Sequence, residues 1–263
     1  MTEAELVLTH VLDCNRLSLY LQKDTFLKQD KLAQVCGILK RRIIGEPLQY
    51  ILGTVEFMGY EFKVDRRALI PRFETEILVS AALERLKLIG KAGELKILDL
   101  GTGSGCLAVC LAKLLPQADI WASDISLPAL ELAKENADLH QVKVKFLYSD
   151  IFCALQLVDQ KFDLIISNPP YIAQKELSSL AKEISFEPTL ALEAGSDGLD
   201  FYRRIISQAN LYLSKNGLLA LEVGADQADQ VSMICNQQNF NVLDVIKDYN
   251  NIQRVVIAQP RKE

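Results

Sequence analysis

Lys96-Ile97-Leu98-Asp99-Leu100-Gly101-Thr102-Gly103-Ser104-Gly105 decides the fold: an apolar run of strand length breaks into alternating glycines, and the apolar stretch Cys106 to Leu115 follows as a helix. Glycine at such a junction lets the chain turn sharply and lets a ligand approach the backbone, while the start of the helix offers unpaired N–H groups. The spacing is G-x-G-x-G and not the G-x-G-x-x-G of dinucleotide sites, so a smaller neutral or zwitterionic ligand fits better than a pyrophosphate. Nineteen residues beyond Gly105, Asp124 closes the run Asp119-Ile120-Trp121-Ala122-Ser123. A carboxylate there can accept both hydroxyls of a ribose in charge-assisted bonds of about 1.5–3 kcal/mol. On these residues alone a generic nucleotide-binding loop remains an open reading.

Further along, Val142 to Tyr148 alternates like a strand and ends at Ser149-Asp150, and the apolar run Phe162 to Ser167 ends at Asn168-Pro169-Pro170-Tyr171. Asp150 can accept from the exocyclic amine of an adenine, with Ile151 and Phe152 lining its faces; a turn-starting acid and two core residues are the plain alternative. The doubled proline cannot continue a central strand and forms a rigid corner that leaves carbonyl acceptors free. Asn168 adds an amide with an acceptor and two donors, and Tyr171 a flat ring. A simple turn, with Asn168 as cap and Tyr171 as core, competes with the reading as a site for an amide or a base. Asp99, Asp124, Asp150 and Asn168 all fall at C-terminal ends of predicted strands. In an open parallel sheet that edge, at the topological switch point, is where ligands bind.

The 263 residues, 49% hydrophobic and 24% charged, suffice for one large core and a small second domain. The acidic start Met1-Thr2-Glu3-Ala4-Glu5 lacks the pattern of a secretory signal and no apolar run is long enough for a bilayer helix, so a cytoplasmic location without a membrane partner is expected. Cys14, Cys36, Cys106, Cys110, Cys153 and Cys235 show no C-x-x-C pair and read as buried thiols. With only His10 and His140 available, both expected to face solvent or cap helices, no metal site is expected. A net charge of -5 argues against stable duplex binding, because backbone contacts call for a basic face; Arg41-Arg42 and Lys143 with Lys145 are too short to supply one.

Helically spaced apolar positions over Glu3 to Val11, Arg16 to Leu21 and Lys28 to Arg42 predict a small helical domain over residues 1–46. Leu48 to Gly53 and Tyr60 to Val64 read as two strands about Glu56-Phe57-Met58-Gly59, a hairpin linker over 47–66. Residues 67–263 then hold the α/β core. A helix over Ile77 to Leu88 carries Glu74 and Glu76 at its start, as caps or as ligand contacts. Ile172 to Leu192 reads as an excursion over the site, Gly198 to Tyr202 opens another helix, and Leu218 to Val223, Asn241 to Ile246 and Arg254 to Ala258 bring the strand count to seven, with a turn at Lys215-Asn216-Gly217.

Over essentially its whole length the chain resembles the peptide chain release factor glutamine methyltransferases, the PrmC/HemK family. The resemblance rests on Gly45-Glu46-Pro47-Leu48-Gln49-Tyr50-Ile51-Leu52-Gly53, Leu69-Ile70-Pro71-Arg72-Phe73-Glu74-Thr75-Glu76, Asp99 to Gly105 and Ser167 to Ile172. The glycine loop alone marks a class I methyltransferase, and Asn168 to Tyr171 also resembles amino-group DNA methyltransferases; the first two stretches single out the release factor family. Two departures stand out: the family usually has proline and aspartate where this chain has Phe73 and Glu74, and glycine where it has Asn250.

The resemblance implies a seven-stranded Rossmann-like class I methyltransferase fold that binds S-adenosylmethionine, behind a substrate-recognising helical domain. It implies methylation of the glutamine side-chain amide nitrogen in the Gly-Gly-Gln motif of release factors 1 and 2, by a monomer with no stable nucleic acid partner. Carried over residue by residue, Gly101, Gly103 and Gly105 pass under the methionine part of the cofactor, Asp124 binds ribose, and Asp150 with Ile151 borders adenine. Asp99, Thr102 and Ile125 complete the cofactor set. Asn168, Pro169 and Tyr171 hold the substrate glutamine, with Asn168 also beside the amino acid portion of the cofactor. Methylation of a nucleic acid amino group and a noncatalytic cofactor-binding subunit are the alternatives; the first calls for a basic groove, the second tolerates a broken substrate corner.

Overall fold

A computed structural model describes residues 1–21, 26–88, 90, 94–157 and 160–261. Four helices come first, α1 (Glu3–Leu12), α2 (Arg16–Leu21), α3 (Gln29–Ile43) and α4 (Leu48–Leu52). Thr2 and Glu5 close a capping box on α1, and Glu5 also accepts from the Tyr20 hydroxyl at 2.6 Å, which ties α2 to α1. The core of this unit is small, built on Val7, Val11 and Leu48 with Val35 and Ile38 against them. α3 buries none of its residues fully, and Leu39, Ile43 and Ile44 stay exposed.

The strand expected over Leu48 to Gly53 is instead helix α4. Pro47 stands at its N-cap, where a missing N–H costs nothing, and Gly53 closes it in the left-handed region at φ 81°. Leu48 enters the helical core while Tyr50 is buried and donates to the Ala68 carbonyl at 2.6 Å. The hairpin is correspondingly later and tighter: β1 (Thr54–Phe57) pairs with β2 (Tyr60–Lys63) around Met58 and Gly59, both at positive φ, the backbone of a primed two-residue turn. Phe57 and Phe62 are buried in the main core, so the hairpin packs as part of the larger α/β body.

The α/β body runs α5 (Phe73–Leu88), β3 (Lys96–Leu100), α6 (Cys106–Leu114), β4 (Asp119–Asp124), α7 (Leu127–Leu139), β5 (Lys145–Tyr148), β6 (Phe162–Ser167), α8 (Asp200–Ala209), β7 (Leu213–Glu222), α9 (Ala228–Gln237), β8 (Phe240–Lys247) and β9 (Gln253–Pro260). The seven-stranded sheet has the order β5-β4-β3-β6-β7-β9-β8, parallel except where β9 runs against β7 and β8. Successive strands step outward from β3 in opposite directions, so the switch point lies between β3 and β6. Both faces are covered, and alternate residues of one strand enter different cores. Leu218 and Ala220 pack with α5 and α6, while Leu219 and Leu221 pack with α8 and α9.

Several boundaries move. α5 starts at Phe73, four positions ahead of the expected Ile77, and its Glu76 accepts the Met58 amide at 2.6 Å, so this acid fastens the hairpin and faces no ligand. β5 starts only at Lys145, with Val142 and Val144 packed on the core outside the ladder. The turn expected at Lys215-Asn216-Gly217 lies inside β7 as an excursion: Phe162 is opposite Leu213, Leu164 is opposite Leu218, and Asn216 has φ 65°. A Cβ on Gly217 would stand 2.8 Å from the Phe162 carbonyl oxygen, which explains glycine there. Residues 174–191 form three short 3-10 segments, the expected excursion.

The thiols divide. Cys106, Cys110 and Cys235 are buried, whereas Cys36 and Cys153 are exposed and Cys14 is intermediate, which corrects the expectation of buried thiols for these last positions. Cys36 lies on the α3 helix that buries nothing, so its apolar neighbours in sequence gave no burial. His10 is exposed in the last turn of α1, and His140 caps α7 with Nε2 2.8 Å from the Glu61 carbonyl oxygen. Among the described residues no helix is long and apolar enough to cross a membrane.

Candidate active site

The glycine loop leaves β3 at the switch point and is stitched to its neighbour strand. The Gly101 and Thr102 amides both donate to the Ser123 carbonyl, at 2.8 and 2.9 Å, and the Gly103 amide donates to Asp124 Oδ2 at 2.9 Å. Gly101 and Gly103 take φ of 70° and 55°. A Cβ on Gly101 would meet nothing within 4 Å, and one on Gly103 would meet only the Ala68 Cβ at 3.9 Å, so this backbone faces open space. Gly105 is different: its Cβ would fall 2.9 Å from the Ala133 Cβ, and the residue does not reach the cleft wall. It lets α6 and α7 approach, which gives this glycine a packing role.

Asp99 likewise sits beneath the loop and not on the cleft. It is fully buried, accepts the Thr102 hydroxyl at 2.6 Å through Oδ2, and leaves Oδ1 without a partner. Burial pushes its carboxyl up to about 7, with the charge of Asp124 adding to the effect. Asp124 itself accepts the Ser126 amide at 2.8 Å through Oδ1 in addition to the Gly103 amide. Burial raises its pKa, opposed by these backbone bonds, which hold the carboxylate in one orientation with lone pairs to spare for a ribose.

The resulting cleft has a volume of about 1050 Å³ including its open mouth. Thr102, Ile125, Asp150 and Ile151 join Gly101, Gly103 and Asp124 on its sheet side, and Asn168 and Pro169 close one end. Residues given no site role from sequence complete it: Ala68, Leu69 and Pro71 ahead of α5, Leu190 and Ala191 from the excursion, and Phe201 and Ile205 from α8. The last pair are a helical turn apart on an amphipathic helix, and that spacing was the signal available. Asp150 does not stand free, because Arg204 pairs with its Oδ2 at 2.6 Å. Ile151 has φ 49°, a left-handed conformation costly for a β-branched side chain, held in place by the Ser149 hydroxyl on its carbonyl at 2.8 Å. An open glycine backbone, an oriented carboxylate and apolar walls suit a nucleoside carrying an amino acid, so the residues present fit S-adenosylmethionine.

At the end of β6, the Ser167 hydroxyl donates to the Leu100 carbonyl at 2.7 Å and locks the two strand ends side by side. Asn168 Nδ2 donates to Thr75 Oγ1 at 3.1 Å, while its Oδ1 is buried and has no partner. A second cleft, of about 750 Å³ including its open mouth, is lined by Leu69, Arg72, Tyr171, Ile184 and Leu192. Asn168 and Pro169 line both. The corner is fixed from behind: Gln227 donates to the Tyr171 carbonyl at 2.9 Å, and Ile172 pairs with the excursion at Glu193. Burial, then the nearby Glu222, pushes the Tyr171 hydroxyl up to about 12, so it stays protonated. Arg72 reaches the buried Glu187, whose other oxygen accepts the Ile70 amide at 3.1 Å. Sequence reading gave Arg72 and Thr75 no site role of their own and passed over Glu222, an acid closing an otherwise apolar strand, the sign by which it could be found.

Comparison with known proteins agrees with this geometry. Residues 75–252 match the methyltransferase small domain family and residues 1–53 the PrmC N-terminal domain. The release factor glutamine methyltransferase of Thermodesulfovibrio yellowstonii is 42% identical over 262 residues, 99% of this chain and 92% of that protein. That of Geobacter sulfurreducens is 43% identical over 255 residues, 97% of this chain and 87% of its own length. Among solved structures, a methyltransferase from Pyrococcus furiosus has the same fold at a TM-score of 0.55 and 15% identity, over 89% of this chain and 100% of that one. With near-full-length identity of this order in both domains, the chain belongs to the release factor glutamine methyltransferase family.

Proposed function

We propose that this chain transfers a methyl group from S-adenosylmethionine to the side-chain amide nitrogen of the glutamine in the Gly-Gly-Gln motif of release factors 1 and 2. Family membership gives the reaction class, and the observation that carries the assignment of residues is the buried, unpartnered Oδ1 of Asn168 on the wall between two clefts. A buried acceptor without a donor costs about 1–3 kcal/mol, a cost that a ligand donor would remove. A primary amide entering through the second cleft brings N–H donors and a flat face for Tyr171.

S-adenosylmethionine, when bound, supplies an electrophilic methyl group on a sulfonium. The chain's own task is to make a weak nucleophile meet it. An amide nitrogen delocalises its lone pair into the carbonyl, so two acceptors on its N–H groups, Asn168 Oδ1 and the Pro169 carbonyl, orient it and stabilise the positive charge that develops on nitrogen. The rigid proline corner keeps both acceptors in place. Tyr171 limits tilting of the amide plane. The nitrogen becomes acidic only after transfer, so no histidine base is called for. Arg72 and the apolar residues of the second cleft would receive the backbone that leads to the glutamine.

Incubating the enzyme and S-adenosylmethionine with intact release factor, with its Gln→Ala variant and with DNA tests the substrate. Methyl transfer to the first alone is the expected result; equal labelling of the Gln→Ala variant, or labelling of DNA instead, would sink the assignment.

A further inference from the structure

Asp150 follows β5 and lines the first cleft, and the Ser149 amide just before it donates to the Asp124 carbonyl at 3.0 Å. The two acids of the cleft are held differently. Asp124 accepts two backbone amides, from Gly103 and Ser126, which fix its carboxylate. Asp150 has one donor on its carboxylate among the described residues, Arg204 of α8, whose Nη2 stands 2.6 Å from Oδ2 across 54 positions of sequence. Arg203, the residue before it, turns instead to Asp197 and Asp200. The Arg204 guanidinium carbon also lies 5.7 Å from the centre of the Phe201 ring, one turn back on the same helix. Phe201 lines the same cleft as Asp150. One guanidinium therefore holds an acceptor and backs an aromatic wall of a single cavity.

We propose that Arg204 is a positioning residue that makes cofactor recognition selective for the exocyclic amine of the base, by holding Asp150 so that Oδ1 accepts an N–H of that amine. The inference rests on the binding of S-adenosylmethionine in the first cleft with its adenine beside Asp150. The Asp150 side chain is 39% exposed, and a carboxylate left to water turns freely and offers either oxygen. With Oδ2 taken by Arg204, its plane is set and Oδ1 is the oxygen left for a ligand. The backbone beneath is set as well, by Ile151 at φ 49° and by the Ser149 hydroxyl on the Ile151 carbonyl. An acceptor ordered in advance keeps the gain of its new bond, whereas a loose one gives part of it up in being ordered at binding. With its partner 45% exposed, the ion pair contributes little to folding, so its loss reads out on binding.

Calorimetric titration of the full-length enzyme with two ligands tests this: S-adenosylhomocysteine, and its analogue whose purine lacks the 6-amino group. The proteins are the wild type, Arg204→Met, Arg204→Lys and Asp150→Ala. Methionine keeps an unbranched apolar stem near Phe201 and removes the donors, while lysine restores a charge without the planar fork. The ratio of the two dissociation constants reports the amine alone, and a general loosening of the cleft would weaken both ligands and leave it unmoved. The ratio should be about tenfold or more in the wild type, about threefold or less in Arg204→Met, intermediate in Arg204→Lys and near one in Asp150→Ala. A ratio in Arg204→Met equal to that of the wild type overturns the proposal, and if Asp150→Ala still abolishes selectivity, Asp150 reads the amine without help. A wild-type ratio near one, or one that survives in Asp150→Ala, refutes the placing of adenine beside Asp150 and takes the role of Arg204 with it.

Discussion

Asn168 Nδ2 lies 3.1 Å from Thr75 Oγ1, a bond between residues 93 positions apart that joins the end of β6 to the first turn of α5. Its consequence is an amide with one end anchored and the other, Oδ1, buried and free. Asn168→Ala should therefore cost about a hundredfold or more in single-turnover rate, the scale seen when one preorganised acceptor or donor is removed from a reacting centre. Tyr171→Phe should cost less than about threefold and Tyr171→Ala clearly more, because the ring and not the hydroxyl meets the amide. Rates at saturating cofactor and release factor, with thermal melts alongside, check this; near-normal methylation by a folded Asn168→Ala would remove the amide-orienting role.

Asp124 serves the loop and the ligand at once. Asp124→Ala removes the proposed ribose acceptor, worth about 1.5–3 kcal/mol or roughly 10- to 150-fold in cofactor affinity, and also releases the Gly103 and Ser126 amides. Asp124→Asn keeps one acceptor for those amides and should lose less. Calorimetric titration separates the two variants, and unchanged affinity in folded Asp124→Ala would exclude a ribose contact.

Ile151 holds a left-handed φ of 49° at the edge proposed for adenine. Ile151→Gly relieves backbone strain of about 1–3 kcal/mol but removes an apolar wall from the cleft. The expected outcome is an unchanged or higher Tm together with weaker cofactor binding. A lower Tm with normal binding would mean that packing of the side chain outweighs the strain.

How much of this was legible in the sequence follows from what each residue depends on. The strands of the sheet are buried on both faces, so β3, β6 and the end of β7 read as continuous apolar runs, and the glycine loop and proline corner have no alternative conformation to adopt. Leu48 to Leu52 misled because a short apolar run has no period long enough to separate helix from strand, and only Pro47 and Gly53 at its ends settle it. Gly105 and Asp99 entered the expected cofactor set through the resemblance; their burial depends on α7 and on Thr102, partners that no local pattern names.

Two buried carboxyls make stability depend on pH in a defined direction. Asp99 and Glu222 are both pushed up to about 7, above their ordinary range near 4. A carboxyl that binds its proton more tightly when folded adds stability that is fully present below the unfolded value and is lost as pH rises through the folded one. Stability should thus fall between about pH 4 and about 7 on account of these groups. Asp99→Asn should raise Tm by several degrees at pH 8 and by less at pH 5, since the amide has no charge to bury. Melts of the wild type and Asp99→Asn across that range check it, and an equal shift at both pH values would mean that charge burial is not the cause.

The N-terminal helices lead to the last prediction. Their core is small, and α3 turns Leu32, Leu39 and Ile43 outward at 50%, 48% and 80% exposure, spaced so that they share a face of the helix. Apolar residues left uncovered together on a folded surface mark a contact surface. The unit is attached to the catalytic body by Tyr50 on the Ala68 carbonyl, by Glu46 between Arg41 and Arg66, and by Arg42 with Glu183 of the excursion, so a molecule held on α3 is kept in register with the second cleft. We expect this face to dock the protein substrate. Leu39→Glu with Ile43→Glu should leave Tm and cofactor affinity within experimental error, because neither side chain is buried, and should lower kcat/KM on intact release factor about tenfold through KM. A double variant as efficient as the wild type on the folded substrate would make the helical unit purely a support for the excursion.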